Sequence, residues 1–348
     1  MIRILVVDDS RAVRELLAHI VTEAPGLVLA GCAADGEEAL RLAHELRPDV
    51  VTMDVQMPKL NGYDATRRIM QECPTRVIIV SGTDSQGEID ASFLAIEAGA
   101  LMLVRRPFGI GNPGHDDSAR ELVRAITAMA EVRVVRRWGA PAREARPARA
   151  RQRRLVLIGA STGGPTVLRD ILAELAPGFP LPVVIVQHLA PGFTRGLAEW
   201  LSSASGYPVA LAADALPLRG GMAYLVPDGC QPAVRADLTM QLADGKPEHG
   251  MRPSVSHLFR ELDPELRADS VAILLTGMGR DGAAELKQLR EDGALTIAQD
   301  RASAVVYGMP GEAVRLDAAM LVLRPAEIGK ALHGLTSDPA TMTRNFGI

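Results

Sequence analysis

Leu155-Val156-Leu157-Ile158-Gly159-Ala160-Ser161-Thr162-Gly163-Gly164 is the stretch on which the reading of this 348-residue chain turns. Its four leading apolar residues have the length and branching of a strand buried on both faces, as in a parallel sheet. Gly159, Gly163 and Gly164 permit a sharp turn that a Cβ would obstruct. Beyond Pro165, the residues Val167, Leu168, Ile171, Leu172 and Leu175 recur at helical spacing. Strand, glycine turn and helix make a βα unit. Ser161 stands on its turn, at the carboxyl end of the strand, where helix amides face any anion formed beside it. A serine so placed is either a nucleophile or the N-cap of the helix.

The same beat continues on both sides of this unit. Downstream, strand-like runs fall at 183–186, 271–275, 295–298 and 320–323. Helical patterns fall at 194–202, 254–262, 282–291 and 312–316, after the first at 167–175. The short, Pro/Gly-punctuated runs 222–226, 233–235 and 239–242 suit a hairpin excursion. Upstream, strand-like runs at 2–7, 27–31, 49–53, 76–80 and 101–104 alternate with helical patterns at 13–21, 37–46, 62–71, 88–97 and 119–130. Alternation of this kind implies the α/β class, with two doubly wound parallel-sheet domains. The expected division is a domain over 1–131, a linker over 132–154 and a larger domain over 155–348.

The linker holds nine arginines and one glutamate, a local charge of +8 in a chain whose net charge is −4. With Pro141 and Pro147 among its alanines it reads as a solvated, extended connector. Nucleic acid is not an expected partner, because aromatics apart from Trp138 are missing from this patch and the large domain is acidic. Three unpaired cysteines, at 32, 73 and 230, fit a reducing cytoplasm. No apolar run approaches 18 residues, so no membrane insertion is expected, and the start of the chain does not read as a signal peptide.

Chemistry gathers where open α/β sheets bind ligands. Asp8 and Asp9 end the first strand and Asp54 the third. Asp8 could cap a helix and Asp54 could shape a turn. Three carboxylates in one crevice, however, call for a hard cation such as Mg²⁺, beside which one carboxylate can attack a phosphoryl group. Val6-Val7-Asp8-Asp9-Ser10, Met53-Asp54-Val55-Gln56-Met57-Pro58, Asn61-Gly62 and Val80-Ser81-Gly82 resemble a response-regulator receiver domain, a flavodoxin-type fold, over residues 1 to about 130. The resemblance implies that Asp54 is the phosphoacceptor. It makes Asp8, Asp9, Asp54 and the Gln56 carbonyl the Mg²⁺ ligands, and has Ser81 and Arg106 contact the phosphoryl group. Receivers usually carry Lys-Pro after the fifth strand and an aromatic three residues before the lysine. Here Arg106-Pro107 and Leu103 stand instead, and a planar guanidinium does not replace a compact ammonium conservatively.

In the larger domain the strand before His188 and the strand-turn-helix signal before Asp281 place both residues, like Ser161, at carboxyl ends. His188 could be a core or capping histidine and Asp281 an N-cap. Together with Ser161 they are the set that nucleophilic catalysis needs: a hydroxyl, an imidazole to take its proton, and a carboxylate to fix the tautomer. Their chain order is not that of the α/β-hydrolases, and no G-x-S-x-G is present. Gly159-Ala-Ser-Thr-Gly-Gly164, Gln187-His188, Arg252-Pro-Ser-Val255, Thr276-Gly-Met-Gly-Arg-Asp-Gly282, Thr296-Ile-Ala-Gln299 and Val306-Tyr-Gly-Met-Pro310 resemble the CheB-type chemotaxis methylesterases, which join a receiver to a Rossmann-like catalytic domain. That resemblance implies hydrolysis of glutamate methyl esters, and deamidation of particular glutamines, on methyl-accepting chemoreceptors. It implies a chemotaxis-type histidine kinase as phosphodonor and no cofactor in the catalytic domain. Ser161, His188 and Asp281 take the triad roles, and the Met278 amide is an oxyanion donor. Arg280 stands where asparagine is common. A receiver joined to a binding adaptor without turnover is the rival reading.

Overall fold

The computed structural model describes residues 1–82, 86–130, 153–175 and 178–337, which separate into two compact units on either side of the boundary between 135 and 136.

In the first unit, β1 (Ile2–Val7), α1 (Arg11–Glu23), β2 (Leu27–Ala33), α2 (Gly36–Leu46), β3 (Val50–Met53), α3 (Gly62–Glu72), β4 (Arg76–Ser81), α4 (Gln86–Glu97), β5 (Met102–Arg105) and α5 (His115–Ala130) follow one another. The five strands pair in parallel in the order β2-β1-β3-β4-β5. All four residues of β3 are buried, as are Ile4 to Val7 of β1, which is why these runs carry no polar alternation. The chain reverses direction across the sheet at β1, so the ends of β1 and β3 border the ligand crevice. Gly62 permits the sharp entry into α3, since a Cβ there would lie 1.9 Å from the Asp54 carbonyl oxygen. Along β2 the register slips between Leu29 and Gly31, leaving Ala30 as the extra residue of a bulge at the sheet's outer edge.

The second unit begins with β6 (Leu155–Ala160), α6 (Gly164–Ala173), β7 (Val183–Gln187), α7 (Thr194–Ser205), β8 (Val209–Leu211), β9 (Ala223–Leu225), β10 (Gln231–Val234) and β11 (Met240–Ala243). It continues through α8 (Val255–Arg260), α9 (Pro264–Arg267), β12 (Ser270–Leu274), α10 (Ala283–Glu291), β13 (Leu295–Gln299), α11 (Met309–Arg315), β14 (Leu321–Leu323) and α12 (Pro325–Ser337). Seven strands form a parallel sheet ordered β14-β13-β12-β6-β7-β9-β8, and β10 and β11 pair antiparallel on their own. Every residue of β6, β7, β12 and β13 is buried. The switch in strand order falls between β6 and β12, which sets Ser161 at the expected crevice.

The two parallel sheets agree with the sequence reading, and several particulars differ from it. Residues 222–226 are not part of the hairpin: β9 joins the main sheet in parallel with both β7 and β8. The hairpin consists of β10 and β11 alone. Strand β8 and helices α9 and α12 were not expected. Most of the linker 132–154 lies outside the described residues. Its last two arginines, though, are docked on the second unit: Arg153 donates to the carbonyls of Ala268, Ser270 and Gly293, and Arg154 to that of Ala236. Among the described residues no helix is long and apolar enough to cross a membrane.

Candidate active site and acidic cluster

Ser161 leaves the end of β6 with both of its backbone polar groups held. Its N–H donates to the Thr276 carbonyl (3.0 Å), and its carbonyl accepts from the Gly164 amide (2.8 Å). The N-cap of α6 is Gly163, in the left-handed region at φ 76°, so Ser161 does not cap this helix. It keeps 8% of its surface exposed. Gly277, in the loop after β12, lies against it: a Cβ at 277 would stand 2.7 Å from Ser161 Cβ and 2.3 Å from Met309 Sδ. That packing brings the next residue, Met278, to the rim with its side chain exposed. Among the described residues no protein acceptor takes the Met278 N–H.

His188 follows β7, and its N–H donates to the Ala160 carbonyl (2.9 Å), placing it level with the Ser161 turn. Gln187, buried just before it, donates from Nε2 to the carbonyls of both Ser161 and His188, each at 2.8 Å. The imidazole is nearly buried, with Nε2 2.9 Å from Asp281 Oδ2. The two atoms are within ion-pair distance, but the ring N–H is not aligned with the oxygen, and neither ring nitrogen makes a well-directed hydrogen bond. Nδ1 is left on the side away from the carboxylate.

Asp281 does not cap α10, whose N-cap is Gly282. Its carboxylate instead receives the first turn of a different helix, α8. Oδ1 accepts from Ser254 Oγ and the Ser256 amide, both at 2.9 Å, and Oδ2 accepts from the Val255 amide at 2.8 Å. Burial acts to raise the Asp281 carboxyl, but contact with His188 and the Ser256 hydrogen bonds outweigh it and hold the group below the ordinary carboxylate range. Gln187, Thr276, Ser254, Ser256 and Gln231 all support the site and were not singled out as site residues in the sequence. Arg252-Pro-Ser-Val255 was the only local signal for the α8 contribution.

In the first unit Asp8, Asp9 and Asp54 converge, each offering a carboxylate oxygen within 4.8 Å of the others. Asp8 does not cap α1, whose N-cap is Ser10, although its Oδ1 accepts the Ser10 N–H at 2.9 Å. Asp8 Oδ2 is buried and has no partner among the described residues. Burial pushes Asp8 up to about 6, against the opposing charge of Arg106. Asp54 goes up to about 7 through burial and the neighbouring Asp8. A crowded, partly orphaned set of hard oxygen donors fits a divalent cation that would hold all three ionised. Arg106 Nη2 stands 3.3 Å from Asp54 Oδ1. Ser81 ends β4 fully buried, its backbone carbonyl accepting the Arg106 N–H at 2.9 Å. Gln56 is exposed in the loop just past Asp54, and Leu103 is buried in β5.

The sequence matches the CheB methylesterase family over residues 156–332 and the response regulator receiver domain over residues 4–112. It is 45% identical to protein-glutamate methylesterase/protein-glutamine glutaminase 1 of Syntrophus aciditrophicus, with 98% of this chain and all of that protein covered. A second such protein, number 4 of Geobacter metallireducens, is 48% identical over 97% of this chain and all of its own length. The crystal structure of the Thermotoga maritima CheB methylesterase catalytic domain superposes with a TM-score of 0.51 at 32% identity, covering 53% of this chain and 100% of that one. Two parallel-sheet units, each with its polar residues gathered at the strand ends, and relatives matched from end to end lead to one assignment: this chain belongs to the CheB methylesterase family, with a receiver domain ahead of a methylesterase domain.

Proposed function

We propose that this protein hydrolyses glutamate methyl esters, and the amide of particular glutamines, on methyl-accepting chemoreceptors, using Ser161, His188 and Asp281. The observation that carries the reading is the 2.9 Å approach of His188 Nε2 to Asp281 Oδ2 at strand ends beside the Ser161 turn. In this scheme Ser161 Oγ attacks the ester carbonyl while His188 Nδ1 takes its proton. The carbonyl π pair moves onto oxygen, where the Met278 N–H meets the developing charge. Collapse expels the methoxy group, which leaves as methanol with the proton from the imidazole. Water, deprotonated in turn by His188, releases the glutamate carboxylate and restores the serine. With a glutamine the leaving group is ammonia. In this scheme nucleophile, base and acid all come from side chains of the chain, so no step draws on a cofactor.

The receiver accepts a phosphoryl group on Asp54 from a chemotaxis-type histidine kinase. Asp8, Asp9, Asp54 and the Gln56 carbonyl are the residues that would hold Mg²⁺, which when bound offsets the charge of the transferring phosphoryl group. Asp54 supplies the attacking oxygen, and Ser81 and Arg106 contact the phosphoryl oxygens. Phosphorylation relieves a restraint that the receiver places on the esterase. The setting is cytoplasmic, consistent with three free cysteines. Methanol release from a methylated receptor, with and without a small-molecule phosphodonor, tests the whole scheme. Ser161→Ala is expected to cut turnover by on the order of 10⁴ to 10⁶ with the fold intact. Wild-type release by that variant would refute the nucleophile assignment.

A further inference from the structure

We propose that Ser254 is a positioning residue for Asp281, acting with the first turn of α8 to lock the carboxylate plane that faces His188; this rests on the triad reading above. A carboxylate offers about four lone-pair sites. Here Oδ1 serves Ser254 Oγ and the Ser256 N–H, while Oδ2 serves the Val255 N–H and faces the imidazole. Rotation of the carboxylate therefore breaks several contacts at once. Two of its three α8 donors are backbone amides that substitution cannot remove. The Ser254 hydroxyl is the one side-chain donor of the three. Its oxygen also accepts the His257 N–H, at a longer 3.3 Å.

Ser254 is itself held. It is fully buried, and its N–H donates to Gln231 Oε1 at 3.0 Å. Gln231 Nε2 in turn donates to the Lys246 carbonyl at 2.9 Å, tying the arrangement to the loop beyond β11. Ser256 secures the other side of Asp281. Its Oγ accepts the Gly282 N–H and donates to Glu285 Oε2, both at 2.8 Å. Asp281 is thus fixed through its carboxylate and through the amide that follows it. The charged or titratable groups around this carboxylate are His188 from the end of β7 and, one step removed through Ser256, Glu285 of α10. Among the described residues no Lys or Arg pairs with Asp281, and hydrogen bonds from α8 orient it instead.

Each donor also draws charge from the carboxylate. Without the Ser254 hydroxyl more of that charge faces the imidazole, which favours the protonated ring. The test is methanol release against pH by Ser254→Ala, Ser161→Ala and wild-type full-length protein, alongside thermal melts. For Ser254→Ala, kcat is expected to fall about 10- to 100-fold with KM little changed, and the acid limb of kcat/KM to move to higher pH. Ser254→Cys, which keeps the shape with a somewhat larger atom and a weak donor, is expected to show the same changes at smaller amplitude, and it replaces the alanine variant in the test if that variant does not fold. An unmoved acid limb overturns the positioning role, whether kcat is unchanged or falls only with the folded fraction. Full activity in Ser161→Ala overturns the triad reading itself, a separate outcome.

Discussion

Asp281 is a buried carboxylate kept ionised by amides, a hydroxyl and an imidazole, and its folded-state titration lies below that of an unfolded aspartate. The sign of the linkage follows. A depressed carboxyl adds stability above the unfolded value of about 4, and that contribution is lost as pH falls through the folded value. Asp281→Asn is therefore expected to melt below wild type at neutral pH, with the gap narrowing in acid below about pH 4. The same variant is expected to lose on the order of 10⁴ in turnover through the wrong imidazole tautomer, measured as methanol release. At this scale the candidate residues were legible, because Ser161, His188, Asp8, Asp9 and Asp54 stand at or just past the ends of apolar runs, and Asp281 one glycine turn beyond its own. Their supporters were not. Ser254 lies 27 positions from the carboxylate it holds, and Gln187 is an amide that looks like any strand-terminal polar residue. Nothing in local spacing reveals a contact made across that separation.

At the level of elements, the site depends on close approach of loops that tolerate no added atoms. Gly277→Ala would press a methyl group against Ser161 Cβ and Met309 Sδ. The expected cost is about 1–3 kcal/mol of stability, with a loss of turnover larger than the lost folded fraction explains, read by melting and methanol release together. Helix α8 is held at both ends: its first turn grips Asp281, and Arg260 and His257 near its end grip Glu248. The Arg260 hydrogen bonds lead in holding the Glu248 carboxyl down to about 2. Regular βα units were readable because buried parallel strands are unbroken apolar runs. Strands β8 and β9 were not, since three residues beside Pro208 or Gly220-Gly221 look the same whether they enter a sheet or a hairpin. Pairing with β7 decides their place, and that partner lies some forty residues away from β9 in sequence.

For the whole molecule, two compact units on one chain make the proposed control and the proposed chemistry separable by truncation. Deleting residues 1–131 is expected to raise methanol release in the absence of phosphodonor and to abolish the response to it; unchanged or lower basal activity would count against a restraining receiver. Where such a truncation is cut matters. The side chains of Arg153 and Arg154 donate to four carbonyls of the catalytic unit, so a fragment starting at 155 is expected to melt about 2–4 °C below one starting at 153 for each kcal/mol those bonds contribute. The bulge at Ala30 bears on a different risk. It lies on the outermost strand of the receiver, seven residues long and mostly apolar, with unpaired amides and carbonyls toward solvent. An extra residue bends that rim and breaks its regular repeat, which disfavours pairing of a neighbouring chain along it. One misaligned alanine is thereby expected to discourage edge-to-edge association of receivers.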